Sequence, residues 1–162
     1  MRFSQIDRIT DLVPGKSITA VRGLTLTEEY LKDHFPRFPV MPGVLMVESL
    51  FQASMWLVRV TEEFENAVVV LRGTKSVKFQ EFVQPGDQLI VSSEFKSKKD
   101  SLTNLKVSGT VNGKPAVSGR MTIDSYNLSD RGLGAAQTDD YMRHEFRLTC
   151  LLYTSPSPRD RG

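Results

Sequence analysis

The run from Asp33 to Val60, DHFPRFPVMPGVLMVESLFQASMWLVRV, limits the folds open to this chain more than any other stretch. Its first part, His34 to Pro42, holds three prolines in nine residues. Proline lacks a backbone N–H and drives its predecessor out of the helical region, so this part is extended and stiff. The second part opens on Pro42-Gly43 and reads as one long helix, with Pro42 at the first helical position, where a missing N–H leaves no acceptor unserved. From Val44 to Val60 the apolar residues leave no clean polar face. A helix that is apolar all round is either wrapped by protein or set in a membrane. The length from Phe38 to Val58 admits a membrane span. The Pro-rich lead-in, the strand-like sequence on both sides and Glu48 oppose one, since an acidic group at mid-bilayer costs roughly 2.5–3.5 kcal/mol on insertion scales. We therefore expect a central core helix.

Glu48 and Gln52 stand four residues apart and share one face of that helix. A carboxyl group held inside needs hydrogen-bond partners or takes up a proton, and a purely structural role satisfies that requirement. His34, fourteen residues before Glu48, adds a group that exchanges protons near neutrality. By spacing alone, a structural histidine explains it better.

The wording around both residues is more specific. HFPRFPVMPGVLMVESLFQA resembles the active-site segment of β-hydroxyacyl-acyl-carrier-protein dehydratases of the FabZ type, with a pattern of roughly HFPG-x-P-x-x-PGVL-x-x-E-x-x-x-Q. His34, Phe35, Pro36, Pro39, Pro42, Gly43, Val44, Leu45, Glu48 and Gln52 fall in register. KSVKFQEFVQPGDQL is similar to a second family segment, and the likeness runs in order through residues 5–125. Arg37 departs from it, standing where the family has Gly. A glycine there is free to take backbone angles that cost an arginine energy.

Length and composition agree with one soluble domain. The 162 residues are 40% hydrophobic and 25% charged, with a net charge of +2 that carries no nucleic-acid footprint. A single cysteine, Cys150, excludes an intrachain disulfide and fits a reducing compartment. Residues 1–15 lack the apolar core of a secretory signal, so a cytoplasmic location is expected.

Ser4 to Val13 places Ile6, Ile9, Leu12 and Val13 at helical spacing, with a half-buried strand as the alternative. Lys16 to Leu26 reads as a strand, and Thr27-Glu28-Glu29 as the start of a short helix. After the long helix come strands at Ala67–Leu71, Lys75–Val83, Gln88–Lys98, Leu102–Val111 and Pro115–Tyr126. Pro85-Gly86 marks a type II turn and Asn112-Gly113 a type I′ hairpin. The expected fold is α+β, a curved antiparallel sheet wrapped around one long central helix. This is the hotdog fold, which the resemblance also implies. Residues 1–126 are expected to form that domain and 127–149 a C-terminal extension with a short helix from Thr138 to about Arg147. The tail, 150–162, is expected to be disordered or non-native. CLLYTSPSPRDRG resembles translated sequencing-adapter read-through, and on that reading the natural C-terminus is expected to be missing.

The resemblance implies dehydration of 3-hydroxyacyl thioesters on acyl carrier protein to trans-2-enoyl thioesters. Such chemistry needs a base for the proton beside the carbonyl, an acid for the leaving hydroxyl, and donors for the carbonyl oxygen. His34 suits the base and Glu48 the acid, if burial among Leu45, Leu50 and Phe51 favours its protonated form. The backbone N–H groups at Gly43 and Val44 suit the carbonyl oxygen. Gln52 either orients Glu48 or satisfies a buried polar position. Phe35, Met41 and Met46 are candidates for an acyl tunnel. The resemblance further implies that His34 and Glu48 meet across a homodimer interface, alone or within a trimer of dimers. No cofactor and no metal are expected, since two histidines and one cysteine share no ligand spacing. A hotdog thioesterase and a non-catalytic acyl-binding module are the competing readings; the His-Phe-Pro lead-in speaks for dehydration.

Overall fold

The long helix forms as α1, Gly43–Thr61, in a computed structural model that describes residues 4–32 and 37–154. Its start differs by one residue from the expectation. Pro42 has an extended ψ of 141° and stands as the N-cap, so the helix proper begins at Gly43. By length and composition α1 meets the requirement for a bilayer span, yet 61% of its most apolar window is buried inside the protein.

Six strands do the burying. They are β1 (Arg8–Val13), β2 (Ser17–Gly23), β3 (Val68–Phe79), β4 (Gln88–Lys99), β5 (Leu102–Val111) and β6 (Lys114–Tyr126). They form one sheet in the order β1-β2-β4-β5-β6-β3, and every neighbouring pair is antiparallel. All six strands touch α1. A flat sheet with strands about 4.8 Å apart is too wide for one helix to reach both edges, so the sheet curls around it. The core lies between, with Leu50, Trp56 and Leu57 of α1 set against Ile18, Leu89, Leu105 and Ile123.

The turns form as their residues dictate. Gly86 takes φ 93°, and Asp87 N–H donates to Gln84 O at 2.9 Å, closing the Pro85-Gly86 turn. Asn112 and Gly113 both have positive φ, 53° and 75°, as a type I′ hairpin requires. The segment after Thr27 is a single 3₁₀ turn, Glu29–Lys32.

Two strand expectations are corrected by bulges. Residues 8–13 are a strand, but the register shifts between Ile9 and Asp11, which turns Ile9 and Leu12 inward although they are three apart. The helix-like spacing is that of a bulged strand. Likewise the two strands expected between Ala67 and Val83 are one, β3, interrupted at Leu71/Gly73 and Lys75/Lys78.

The C-terminal part departs most from expectation. A helix, α2, runs Ala136–Thr154, longer than the short one expected and continuing into the segment expected to stay out of the core. Phe146, Cys150 and Tyr153 follow helical spacing on its inner side. Cys150 is 8% exposed, and the rings of Phe146 and Tyr153 lie 5.9 and 5.6 Å from Trp56. Burial pushes the Cys150 thiol up. Buried Arg59 completes the joint: its guanidinium stacks 3.5 Å over the Phe146 ring and donates to Asn66 O and Ala67 O, both at 3.2 Å. Burial pushes this guanidinium down to about 10, with Glu62 opposing the shift. The N-terminal end of α2 is tied by Asp139. Its carboxylate accepts from Leu128 N–H, Ser129 N–H and the Ser129 hydroxyl at 2.8, 3.0 and 2.7 Å.

Deleting residues 150–162 is therefore expected to lower the melting temperature, by roughly 2–4 °C for each kcal/mol of packing lost. An unchanged melting curve would show that α2 does not hold Trp56 in solution. Asp139 carries a pH signature. Burial pushes its carboxyl up, but the three hydrogen bonds outweigh burial and hold it below the usual carboxylate range. A carboxyl depressed in the folded state stabilises fully above the unfolded value, about 3.9, and loses that contribution as pH falls through its lowered value. Asp139→Asn should thus melt below the parent at pH 7, with the gap shrinking in acid; a gap constant with pH would reject that account.

Candidate active site

The proline-rich lead-in reaches α1 along the loop that follows β3. Met41 N–H donates to Val83 O at 2.8 Å, which fixes the direction of entry. Pro42 O then accepts from Leu45 N–H and Met46 N–H at 2.9 and 3.2 Å. The preceding N–H groups, of Gly43 and Val44, have no intrahelical acceptor by position and stand at the positive end of the helix dipole. A Cβ on Gly43 would meet the Phe79 ring at 3.0 Å, so glycine lets that ring lie against the start of the helix.

Beside this helix start is a mostly apolar cavity of about 340 Å³, lined by Val40, Met41, Gly43, Met46 and residues 79–82. The Phe82 ring at its rim meets Phe38 edge to face at 5.5 Å. Three residues named from sequence, Gly43, Met41 and Met46, thus surround one space whose volume and lining suit a short acyl chain.

Glu48 lies elsewhere on α1. Its carboxylate is half-buried and accepts from Gln52 Nε2 at 3.0 Å. Gln52 is buried, and its Oε1 accepts from the backbone N–H of Gln5 at 2.7 Å. That bond decides which way the amide points: with its oxygen on Gln5, its NH₂ faces Glu48. The chain of contacts continues inward. Gln5 Oε1 accepts from Arg22 Nε at 3.3 Å, and Arg22 Nη2 donates to both Glu28 oxygens at 2.7 and 2.8 Å. Gln5 and Arg22 were not read from the sequence. The Gln5 contact to Gln52 is a backbone amide and leaves no side-chain signature, while Arg22 sits in an ordinary strand.

The structure joins Glu48 to Gln52 and gathers Gly43, Met41 and Met46, but it does not bring these two groups together. Five residues separate Gly43 from Glu48, a rotation of about 140° around the helix axis at 3.6 residues per turn. Glu48 belongs to a stripe with Val44, Val47 and Phe51 that the sheet leaves partly uncovered, and Val44 is 73% exposed. His34 and Phe35 lie outside the described residues. Arg37 begins the described part of the lead-in and is exposed. Among the described residues no three His, Cys, Asp or Glu side chains gather closely enough to hold a metal ion.

Comparison with known proteins gives a consistent picture. The family model for the FabA-like domain matches residues 1–120. The 3-hydroxyacyl-[acyl-carrier-protein] dehydratase FabZ of Ruminiclostridium cellulolyticum is 38% identical over 119 residues, 74% of this chain and 84% of that protein. Its namesake from Wolbachia pipientis is 45% identical over 95 residues, 59% of this chain and 66% of that protein. Among solved structures, the dehydratase heterocomplex ApeI:P from Xenorhabdus doucetiae superposes with a TM-score of 0.64 at 16% identity, covering 79% of this chain and 86% of that one. The protein smu.793 from Streptococcus mutans, bound to acetyl CoA, does so with a TM-score of 0.62 at 13% identity, covering 77% and 91%. At such identities the two structures speak for the shared hotdog fold. The family match over residues 1–120, and the identity held across most of a relative's length, place the chain in the FabA-like family, beside the FabZ-type 3-hydroxyacyl-[acyl-carrier-protein] dehydratases.

Proposed function

We propose that this protein removes water from 3-hydroxyacyl thioesters on acyl carrier protein, giving trans-2-enoyl thioesters for fatty acid or related acyl-chain synthesis in the cytoplasm. The observation that carries the reading is the Glu48 carboxylate, held by an amide of fixed orientation on an otherwise apolar helix whose N-terminus borders an acyl-sized cavity. His34 takes the proton from the carbon next to the thioester carbonyl. The electron pair forms the new double bond as the C–O bond at the β-carbon breaks, and Glu48 supplies the proton with which the hydroxyl leaves as water. The N–H groups of Gly43 and Val44 receive the carbonyl oxygen while charge builds on it. Met41 and Met46, with Phe35, line the path of the acyl chain, and Gln52 orients Glu48.

The reading requires two copies of the chain. Glu48 faces away from its own protomer's cavity, on a partly exposed apolar stripe that needs cover. A C2 dimer pairing these stripes covers Val44, Val47 and Phe51, and brings the Glu48 of each chain toward the cavity and His34 of the other. Dimers of this kind stand alone or gather in threes.

With a short 3-hydroxyacyl carrier-protein thioester, the expected product shows conjugated enoyl absorbance; release of free thiol without it would identify a thioesterase instead. His34→Ala and Glu48→Gln should each fold and associate normally while losing about 10²- to 10⁴-fold in rate. Mixing the two inactive variants should restore activity, because about half the sites in each mixed dimer unite both native residues. Full activity in His34→Ala rejects dehydration by this site, and absence of rescue after proven subunit exchange rejects the shared site. Gln52→Ala strands the buried Gln5 N–H, at a cost of about 1–3 kcal/mol, and should lower kcat with KM little changed. A lowered melting temperature with kcat intact would leave Gln52 a structural role only.

A further inference from the structure

A second cavity, of about 650 Å³, lies away from the helix start on the outer face of the sheet, where β3, β4, β5 and β6 lie side by side. Leu105 and Met121 turn inward to the core, so their neighbours Lys106 and Arg120 turn outward into this cleft. The strand register places Lys75 opposite Arg120 and Arg120 opposite Lys106. Residues directly opposite across antiparallel strands have Cβ atoms about 4.5–5.5 Å apart, and like charges in such pairs repel. Three cations in one row therefore cost stability in the bare protein. Among the described residues none of the three makes an ion pair within 4.0 Å. Glu94 ends the row opposite Lys106 and feels its charge, but its carboxylate is held mainly by Lys96 at 3.1 Å, which leaves Lys75 and Arg120 without an acidic neighbour across the strands.

The cleft also has a floor suited to an anion. A second row crosses it, in which Thr122 hydroxyl donates to Asn104 Oδ1 at 2.8 Å and Asn104 Nδ2 donates to Ser97 Oγ at 3.2 Å. Ser97 retains its O–H, and Asn104 its second N–H, as donors. The row ends at Gly73, where a Cβ would meet nothing within 4 Å, so the missing side chain keeps that end open. Arg72 stands at the rim, 69% exposed and 4.0 Å from an Asp124 carboxylate that Arg131 already holds at 3.0 Å.

We infer that this cleft is a binding site for a small ligand carrying adjacent phosphate groups, held by Lys75, Lys106 and Arg120 above the Ser97–Asn104 floor. Adjacent phosphates span neighbouring strands, so that each cation meets an anionic oxygen and the repulsion along the row turns into attraction. The concave shape and the donors beneath the cations favour a small ligand over an acidic helix, which would rest on the cationic rim and leave the floor unused. The site lies on the face of the sheet opposite α1, and its occupancy does not depend on the dehydratase reading.

The test is calorimetric titration of the full chain with inorganic pyrophosphate, alongside orthophosphate and chloride at matched ionic strength. Saturable binding of one pyrophosphate per chain is expected, tighter than orthophosphate. Lys106→Gln and Arg120→Gln should each weaken it by about tenfold or more, since a hydrogen bond to a charged group contributes on that scale. Without ligand both variants should melt at or above the parent temperature, which also establishes that they fold, and pyrophosphate should raise the melting temperature of the parent more than that of either variant. Pyrophosphate that binds no better than chloride overturns the proposal, as does equal binding to parent and variants. Polyglutamate that binds more tightly than pyrophosphate, and is lost in the same variants, overturns it in favour of an acidic protein partner.

Discussion

A helix with no polar side has to be covered all the way round, and the rest of this structure answers that demand. The sheet takes most of the task by curling until all six strands reach α1. It curls past the helix's C-terminal half, where Trp56, Leu57 and Val58 are enclosed, and leaves the first turns partly open. The openness at that end is what makes room for a cavity and an N-terminus able to receive a charged oxygen. The same uncovered stripe is the surface that the proposed dimer gives to a second chain. The fold and the cavity thus follow from where cover stops along one helix.

Burying polar atoms inside such a shell carries its own requirement, since each must be satisfied by a neighbour. The contacts from Glu28 through Arg22 and Gln5 to Gln52 and Glu48 meet it in sequence, each group fixing the orientation of the next. The N-terminal strand region is thereby coupled to the helix through polar contacts as well as apolar packing. The Glu48 carboxylate at the end of this chain is thereby tied to the N-terminal segment through the Gln52 amide.

Much of this was legible in the sequence because it is local. The prolines and the apolar run define α1, and Pro85-Gly86 and Asn112-Gly113 need only their own backbone angles. What was hidden depends on residues far apart. Bulges shift the inward phase of a strand by one residue, so Ile9 and Leu12 imitated a helix and β3 looked like two strands. Composition alone spoke against a core role for the segment from Cys150, yet Cys150 is buried and the Tyr153 ring joins that of Phe146 against Trp56. In the site, the motif pointed to Glu48 and Gln52. It gave no sign that Gln52 would be held by the backbone amide of Gln5, 47 residues earlier in the chain.

The order of elements along the chain has a consequence for synthesis. α1 is complete at Thr61, but the strands that enclose most of it are not finished until Tyr126, about 65 residues later. At ribosomal rates of about 5–20 residues per second, the newborn chain carries a membrane-length apolar helix without its cover for several seconds. During that interval the polar residues within it, Glu48, Gln52 and Arg59 among them, and the stiff proline lead-in distinguish it from a true membrane segment. The polar side chains that the finished fold satisfies are also, on the ribosome, what raises the cost of this helix in a bilayer.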